Sequence, residues 1–369
     1  MRKKIAFFTP TLEGGVGRVI TNLIENLYKE MDIDLLVVKG VEPILKRFQG
    51  MCRVFDFKKE RSFRSFWSLG SYLKEKNPDI LISFIFHTNL LSILARFLFN
   101  SETKLVICEH IALKNALKSL PLLKKIPFSF LIKKFYPFAD CIVTVSEEAA
   151  KQVEELISPK YKNKITVIYN PIIDEKILQM AQQPINHPWF KERKEFKIVL
   201  SVGRITTQKD FITLVRAFKY VKEKIDAKLV ILGDGEEREK LEKEIRKLNL
   251  QNEILLPGFV ENPYPYFKNS DIFVLSSHYE GLPTVLIEAL AFGLPIVSTD
   301  CPTGPREILE NGKYGLLVPV GNYKKMAEAI IAILNNEIVI PKEILIKRAL
   351  DFEVNRNIKK YKELFLNLL

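Results

Sequence analysis

Cysteine is scarce: Cys52, Cys108, Cys141 and Cys301 are scattered through 369 residues without a C-x-x-C pair. That spacing supports neither a zinc site nor a disulfide framework and suits a reducing cytoplasm. No apolar run is long and clean enough to span a bilayer; Ile80 to Phe99 comes nearest, and His87, Thr88, Asn89 and Arg96 interrupt it. The basic opening Met1-Arg2-Lys3-Lys4 leads into an apolar stretch that stops at Pro10, ahead of Glu13 and several glycines. It reads as a first buried strand, not as a signal peptide. The spacing G-x-G-x-x-G is absent, and the second predicted strand ends at Val38-Lys39 without the acid that would hold an NAD ribose, which disfavours a nicotinamide enzyme. Acidic residues are missing altogether between Glu109 and Asp140.

What is present suits two α/β domains. A chain of 369 residues exceeds one ordinary core, and 47% hydrophobic content with 25 Phe is ample for two. Charge is uneven: residues 1–180 carry 28 Lys/Arg against 19 Asp/Glu, and the remainder 28 against 25. In the acid-free run, Lys114, Lys118, Lys124, Lys125, Lys133 and Lys134 alternate with Leu113, Leu117, Leu120, Leu122, Leu123, Phe128, Phe130, Leu131 and Phe135. A second patch holds Lys58, Lys59, Arg61, Phe63, Arg64, Phe66 and Trp67. Such mixtures lie comfortably on an anionic membrane, with rings among headgroups and cations on lipid phosphates. A solvated basic face with ordinary helix packing accounts for them as well. Nucleic acid is disfavoured because no recognition motif accompanies the charge.

In chain order, Lys4–Thr9 reads as a strand, Pro10 to Gly17 as a loop carrying Gly14, Gly15 and Gly17, Arg18–Lys29 as a helix and Ile33–Lys39 as a strand. Ile80–Phe86 is a further strand with a helix from Asn89 to Leu98 behind it. Leu105–Cys108 is another, with Glu109-His110 at its carboxyl end, the edge where α/β sheets place their sites. Cys141–Val145 precedes a helix cap at Ser146. Gln179 to Glu195, polar and bearing Pro184 and Pro188, reads as the linker region. Lys197–Val202 opens the second domain and ends in Gly203-Arg204, with Lys209 and Asp210 before the helix Phe211–Lys219. Two cations at a strand's carboxyl end, beside a helix start, are able to neutralise a diphosphate. Further strands are expected at Lys228–Leu232, Ile254–Leu256, Asp271–Leu275 and Val297–Asp300, and helices at Arg238–Leu248, Tyr323–Leu334 and Arg356–Leu369.

The densest chemistry lies in Ser276-Ser277-His278-Tyr279-Glu280-Gly281-Leu282-Pro283-Thr284-Val285, a polar loop running into a helical pattern. Pro283 is expected in the first helical turn, whose amides form an anion site that Gly281 allows a ligand to approach. Thr284 and Glu288 share one helix face, Glu288 a turn behind that site and Glu280 in front of it. Glu280-Gly281-Leu282-Pro283 followed by Glu288-Ala289-Leu290-Ala291-Phe292-Gly293-Leu294-Pro295 resembles the E-x7-E signature of retaining glycosyltransferases of family 4. The continuation Cys301-Pro302-Thr303-Gly304-Pro305-Arg306-Glu307 is similar to the branch that builds bacterial surface glycans, N-acetylhexosaminyl transferases acting on lipid-linked oligosaccharides among them.

That resemblance implies the GT-B fold, two Rossmann-like domains facing each other across a cleft. Residues 1–172 would form the acceptor-side domain, with 356–369 packed back on it, and 173–355 the nucleotide-sugar domain. It implies a donor site of Gly14, Gly15, Gly203, Phe259, Val260, Gly281, Leu282, Thr284, Val285 and Glu288. Arg204 and Lys209 answer the leaving diphosphate, Glu280 takes a hydroxyl of the transferred sugar, and His110 lies near the reacting sugar, with His87 as a weaker candidate. Asp210 stands where the family usually has a glycine. The expected activity is transfer, with retention, of a hexose or N-acetylhexosamine from a UDP-sugar to a lipid-linked or surface-polysaccharide glycan, needing no metal or other cofactor. The place is the cytoplasmic face of the membrane. Asp32-Ile33-Asp34 matches the D-x-D of metal-dependent GT-A enzymes but falls at the start of a strand, the wrong edge for a site. A GT-B phosphorylase, an epimerase and a non-catalytic sugar-nucleotide-binding protein are the competing readings.

Overall fold

The computed structural model describes residues 2–110, 113, 122–191 and 195–369, with side chains left aside at 43 and 122–127. Of the basic-apolar run, Lys114, Leu117, Lys118 and Leu120 therefore lie outside the described residues, as do the side chains of Leu122, Leu123, Lys124 and Lys125. The chain divides into two compact units, Met1–Ile172 with Val354–Leu369, and Ile173–Glu353.

The first unit is built on strands β1 (Lys4–Thr9), β2 (Asp32–Val37), β3 (Arg53–Asp56), β4 (Ile80–Phe84), β5 (Lys104–Glu109), β6 (Cys141–Thr144) and β7 (Ile165–Val167). They form one seven-stranded sheet in the order β3-β2-β1-β4-β5-β6-β7, and each neighbouring pair is parallel. Central strands such as Ile5–Phe8 and Ile80–Phe84 are buried throughout because helices cover both faces, hence their apolar sequences, interrupted only by the buried Ser83 in the second. On one face Ala6, Phe8, Leu36, Leu81 and Ile107 pack with Leu69, Leu73, Ile93 and Tyr136 from the helices. The C-terminal helix Val354–Leu368 joins this unit: Ile358, Tyr361 and Phe365 are buried, and Lys362 Nζ reaches Glu30 Oε1 at 2.6 Å.

The second unit carries β8 (Lys197–Val202), β9 (Ala227–Leu232), β10 (Ile254–Gly258), β11 (Ile272–Leu275), β12 (Ile296–Thr299) and β13 (Leu316–Val318). Its six-stranded sheet has the order β10-β9-β8-β11-β12-β13, again parallel throughout. Val199, Leu229, Ile231, Val274 and Val297 meet Leu214, Phe218, Leu241 and Ile330 in its core. Strand order turns around between β1 and β4 in one sheet and between β8 and β11 in the other. Open α/β sheets bind ligands at the carboxyl ends of the strands flanking such a turning point.

Several expectations shift. The first helix spans Gly14–Leu27, so it starts four residues before Arg18 and the expected Pro10–Gly17 loop shrinks. Gly17 permits this, since a Cβ there would lie 1.6 Å from Leu12 O. Pro283 is the residue before the helix Thr284–Ala291 and not in its first turn, its ψ of 104° being extended. Gln179–Glu195 is not a free linker in its first part, because Asn262 Nδ2 donates to Met180 O at 2.8 Å and Lys268 Nζ to Gln182 Oε1 at 2.5 Å. Strands β3 and β13 and the helix Phe66–Lys76 were not expected; both strands are short and stand at sheet edges. Asp32 and Asp34 of the D-x-D match are taken up structurally: Arg53 bonds Asp32 at 2.8 Å and Asp34 at 2.6 Å, and Tyr72 donates to Asp34 at 2.6 Å.

Candidate active site

In the second unit the sheet turns around between Val202 and Leu275, and the loops after those two residues lie side by side. Gly203 follows β8 directly, and a Cβ there would stand 3.1 Å from Lys209 Cε, so the lysine stem lies along the glycine backbone. Lys209 Nζ reaches Glu280 Oε1 at 2.7 Å, and Ser277 Oγ donates to the same oxygen at 2.5 Å. Both charged side chains are largely buried, Lys209 at 17% and Glu280 at 7% exposure. A buried ammonium on a buried carboxylate is held far more firmly than a surface pair, because water competes little for either.

Behind Glu280 stands the segment after β12. The Thr303 hydroxyl donates to Glu280 O, and Glu280 N to Pro302 O at 3.2 Å. Thr303 takes φ 62°, a costly value for a β-branched residue and one concentrated at functional sites. Leu286 N donates to Pro283 O at 3.1 Å, whereas the Thr284 and Val285 amides ahead of it lack intrahelical acceptors by the geometry of any helix start and leave a site suited to an anion. Glu288 follows one turn on, 3% exposed, and Leu282 is buried. Arg204, by contrast, does not join the pair: its side chain is 81% exposed and lies 3.8 Å from Glu236. Phe259 is 80% exposed just beyond β10, and Val260 is half-buried. Cys301 is no nucleophile here, since burial and the nearby Glu280 charge push its thiol to about 12.

In the first unit, Gly14 (φ 73°) and Gly15 begin the first helix, and space beside Gly14 is open. Ile85, another β-branched residue at positive φ (75°), directly follows β4 at the turning point of that sheet. His110 is buried, ring to ring with Phe84 at 5.4 Å, and among the described residues its Nε2 has no hydrogen-bond partner. Burial lowers His110 to about 4 against a hydrogen bond to Asn170 that raises it, so the ring is neutral near pH 7. His87 is likewise shifted down by burial and packs edge-on against Phe86.

Glu109 titrates in the opposite sense. Burial raises its carboxyl to about 7, over the lowering effect of hydrogen bonds from Tyr136 and Asn89; Asn89 Nδ2 lies 2.7 Å from Oε1 and the Tyr136 hydroxyl donates to the same oxygen. Between the ordinary 4.5 and about 7 the folded chain holds a proton that the unfolded chain has released. Its stabilisation is therefore complete below 4.5 and lost as pH rises through about 7, whereas His110 costs stability as pH falls from 6.5 toward about 4. Glu109→Gln keeps the acceptor and removes the titration. Relative to wild type it gains on the order of 3 kcal/mol between pH 5 and 8 in urea unfolding; parallel pH profiles for the two proteins would show that Glu109 is ionised in the fold.

In the second unit, Thr303 carries no sequence signal of its own, and Ser277 is marked only by the polar Ser276-Ser277 directly after apolar β11. In the first unit, Ile85 reads as part of the strand Ile80–Phe86 and gives no sign of its positive φ.

Residues 182–352 match the family model of glycosyl transferases group 1, and residues 13–176 that of glycosyltransferase family 4. An uncharacterized glycosyltransferase of Methanocaldococcus jannaschii is 31% identical over 401 residues, covering 98% of this chain and 91% of its own. The N-acetylgalactosamine-N,N'-diacetylbacillosaminyl-diphospho-undecaprenol 4-alpha-N-acetylgalactosaminyltransferase of Campylobacter jejuni is 36% identical over 271 residues, 71% of this chain and 69% of that protein. Among solved structures, the lipopolysaccharide outer core galactosyltransferase WaaB superposes with a TM-score of 0.76 at 22% identity, covering 99% of this chain and 100% of that one. Anabaena HepE in complex with UDP-glucose gives 0.81 at 17% identity, covering 99% of each.

Proposed function

The chain belongs to glycosyltransferase family 4, and from that premise we propose that it transfers a hexose or N-acetylhexosamine from a UDP-sugar to a lipid-linked glycan with retention of anomeric configuration. Two parallel-sheet units of this kind make it a glycosyltransferase of the GT-B type. The observation that carries the proposal is Lys209 Nζ at 2.7 Å from Glu280 Oε1, beside a helix start at the turning point of the second sheet. The Campylobacter relative's name supports an N-acetylhexosamine and a diphospho-undecaprenol acceptor. The UDP-glucose complex of HepE supports a UDP donor.

In physical terms, the bond from the sugar C1 to the diphosphate oxygen breaks while an acceptor hydroxyl oxygen bonds to C1. Positive charge grows on the sugar ring and negative charge on the departing diphosphate. The hydroxyl proton passes to the leaving phosphate oxygen on the same face of the sugar, which yields retention without a covalent enzyme intermediate or a metal. Lys209 has three donors, so it answers the diphosphate without releasing Glu280. First-turn amides of Thr284 and Val285 add fixed dipoles aimed at the same charge. Glu280 takes a hydroxyl of the transferred sugar and Glu288 the ribose hydroxyls. Arg204, with its solvent-exposed side chain, reaches the diphosphate only by swinging away from Glu236. Gly14, Gly15, Phe259 and Val260 border donor phosphate and base. His110, neutral and with an Nε2 that has no partner among the described residues, is suited to accept from a sugar hydroxyl.

Screening a panel of nucleotide sugars for nucleotide release, with and without bacterial lipid extract, tests the proposal, and NMR of the product anomer tests retention. Release from a UDP-hexose or UDP-N-acetylhexosamine that rises with lipid extract is the expected result; an inverted anomer would remove the mechanism above.

The acceptor reading also predicts a membrane surface on the first unit, at the inner face of the cell membrane. Among the described residues no helix is long and apolar enough to cross a bilayer. Trp67 and Phe97 are 72% and 77% exposed, and Phe63, Leu98, Phe130 and Phe138 are also exposed, in the unit that holds Arg61, Arg64, Lys133 and Lys134. Flotation with anionic vesicles is expected to exceed that with zwitterionic ones and to fall about tenfold in Trp67→Glu/Phe97→Glu. Equal binding to both vesicle types means a merely solvated basic face.

A further inference from the structure

The loops after β8 and β11 are stitched together residue by residue. His278 N donates to Gln208 O at 2.8 Å, Gln208 Nε2 donates back to Tyr279 O at 2.9 Å, and Ser276 Oγ donates to Lys209 O at 2.7 Å. The row ends where His278 Nε2 stands 3.5 Å from Asp210 Oδ2. Lys209 lies in its middle with its ammonium on Glu280. The first three links involve backbone carbonyls, so the contact of the imidazole with the Asp210 carboxylate is the one in this row made between two side chains.

Asp210 occupies a position its residue type does not favour. Its φ is 45°, the left-handed region in which glycine is at ease. What holds an aspartate there is its carboxylate: Oδ1 accepts from Thr213 N at 3.3 Å and Oδ2 from Thr213 Oγ1 at 2.5 Å, capping the helix Phe211–Lys222. The same Oδ2 faces His278. A hollow of about 150 Å³ beside them is also lined by Thr206, Thr207, Glu237 and Lys240, and Glu237 is already bonded to Lys240 at 2.8 Å. Asp210 is therefore the carboxylate left to answer the ring. One residue thus fixes the helix start on one side and the loop carrying Glu280 on the other, with Lys209 directly beside it in the chain.

We propose that His278 is a positioning residue for Lys209: engaged with Asp210, its imidazole holds the 206–210 loop in the setting that carries the ammonium to Glu280 and the departing diphosphate. The proposal rests on the donor-site reading above and assigns His278 no contact with substrate. Lys209 answers charge that grows in the transition state, so a slackened loop costs turnover more than donor binding.

The test uses four variants of the full chain. His278→Ala deletes the ring, His278→Gln keeps a donor, and Asp210→Asn keeps the cap and tolerates positive φ while removing the charge; the fourth is the double variant His278→Ala/Asp210→Asn. With the nucleotide sugar that wild type uses, His278→Ala and Asp210→Asn each lower kcat roughly five- to tenfold with donor KM within about twofold. The double variant is no slower than the slower single one, because both break the same link. His278→Gln recovers most of the loss. Wild-type kcat in His278→Ala, losses that multiply in the double variant, or a loss confined to KM would each overturn the proposal. Should His278→Ala fail to fold, Asp210→Asn and His278→Gln decide it: unchanged kcat in the first, or a loss in His278→Gln as large as that in Asp210→Asn, overturns it. A wild-type protein that releases nucleotide from no sugar nucleotide removes the donor-site reading itself, whereas an active wild type with an equally active His278→Ala removes only the role of His278.

Discussion

Lys209→Ala is expected to lower kcat/KM for sugar transfer by about 10²- to 10³-fold, the usual loss when one fixed charge aimed at a leaving group is removed. The loss has two sources that one substitution mixes. The ammonium answers the diphosphate, and it also neutralises Glu280, which is 7% exposed and is otherwise bonded at that oxygen by Ser277. Taking it away leaves a largely buried carboxylate with one hydroxyl donor, which costs about 1–3 kcal/mol of stability as well. A second substitution separates the two. Lys209→Ala/Glu280→Gln has no unpaired charge, so its urea midpoint returns toward wild type while its turnover does not. Initial rates and unfolding curves on the three proteins give the comparison. Turnover within threefold of wild type in folded Lys209→Ala would take the lysine out of the mechanism, and turnover that recovers together with stability in the double variant would make its role structural.

Lys209 and Glu280 are both legible in the sequence because each sits at a strand end marked by local chemistry. Ile198–Leu200 and Ile272–Leu275 are short apolar runs whose strands end abruptly in polar loops, and a parallel sheet places such ends at one edge. The direction of a long side chain is another matter. Nothing local to Gly203-Arg204 says that Arg204 points to solvent beside Glu236 while Lys209 folds back along Gly203; the 203–205 backbone is also passed closely by a different loop, where a Cβ on Gly233 would lie 1.9 Å from Gly203 O and one on Gly235 2.4 Å from Ile205 O. The same holds for Thr303, which reaches Glu280 O from 23 residues away. Edge strands are hard to read for a related reason: Arg53–Asp56 carries a charge at each end and partial burial and lacks the longer apolar run that makes a central strand obvious. The early start of the first helix escaped because glycines read as loop, although Gly17 is there for the close passage of Leu12 O.

That kind of close approach supplies the second large effect. Gly304 has φ 84° and ψ −64°, a conformation that side chains other than glycine's scarcely tolerate. A Cβ on it would stand 2.5 Å from Gly281 O, 2.5 Å from Pro283 Cδ and 3.2 Å from Leu282 Cα. Every one of these atoms belongs to the loop that joins Glu280 to the helix Thr284–Ala291, and two of the three are backbone. Gly304→Ala must therefore either twist its own chain, at roughly 1–2 kcal/mol, or push the Glu280–Pro283 loop outward by several tenths of an ångström. Thr303 and Pro302 tie Glu280 to the same segment at its O and N, so the push is passed on to the carboxylate and through it to Lys209. Misplacement on the scale of 1 Å costs about a hundredfold in rate, and Gly304→Ala is expected to lose between tenfold and a hundredfold in kcat while its melting temperature falls only a few degrees. Gly312, also at positive φ (99°) in the next turn but with open space around its Cβ position, is the control: Gly312→Ala carries the same kind of backbone strain and leaves turnover within about twofold. Equal losses in the two variants would mean that general strain, and not pressure on the Glu280 loop, sets the rate.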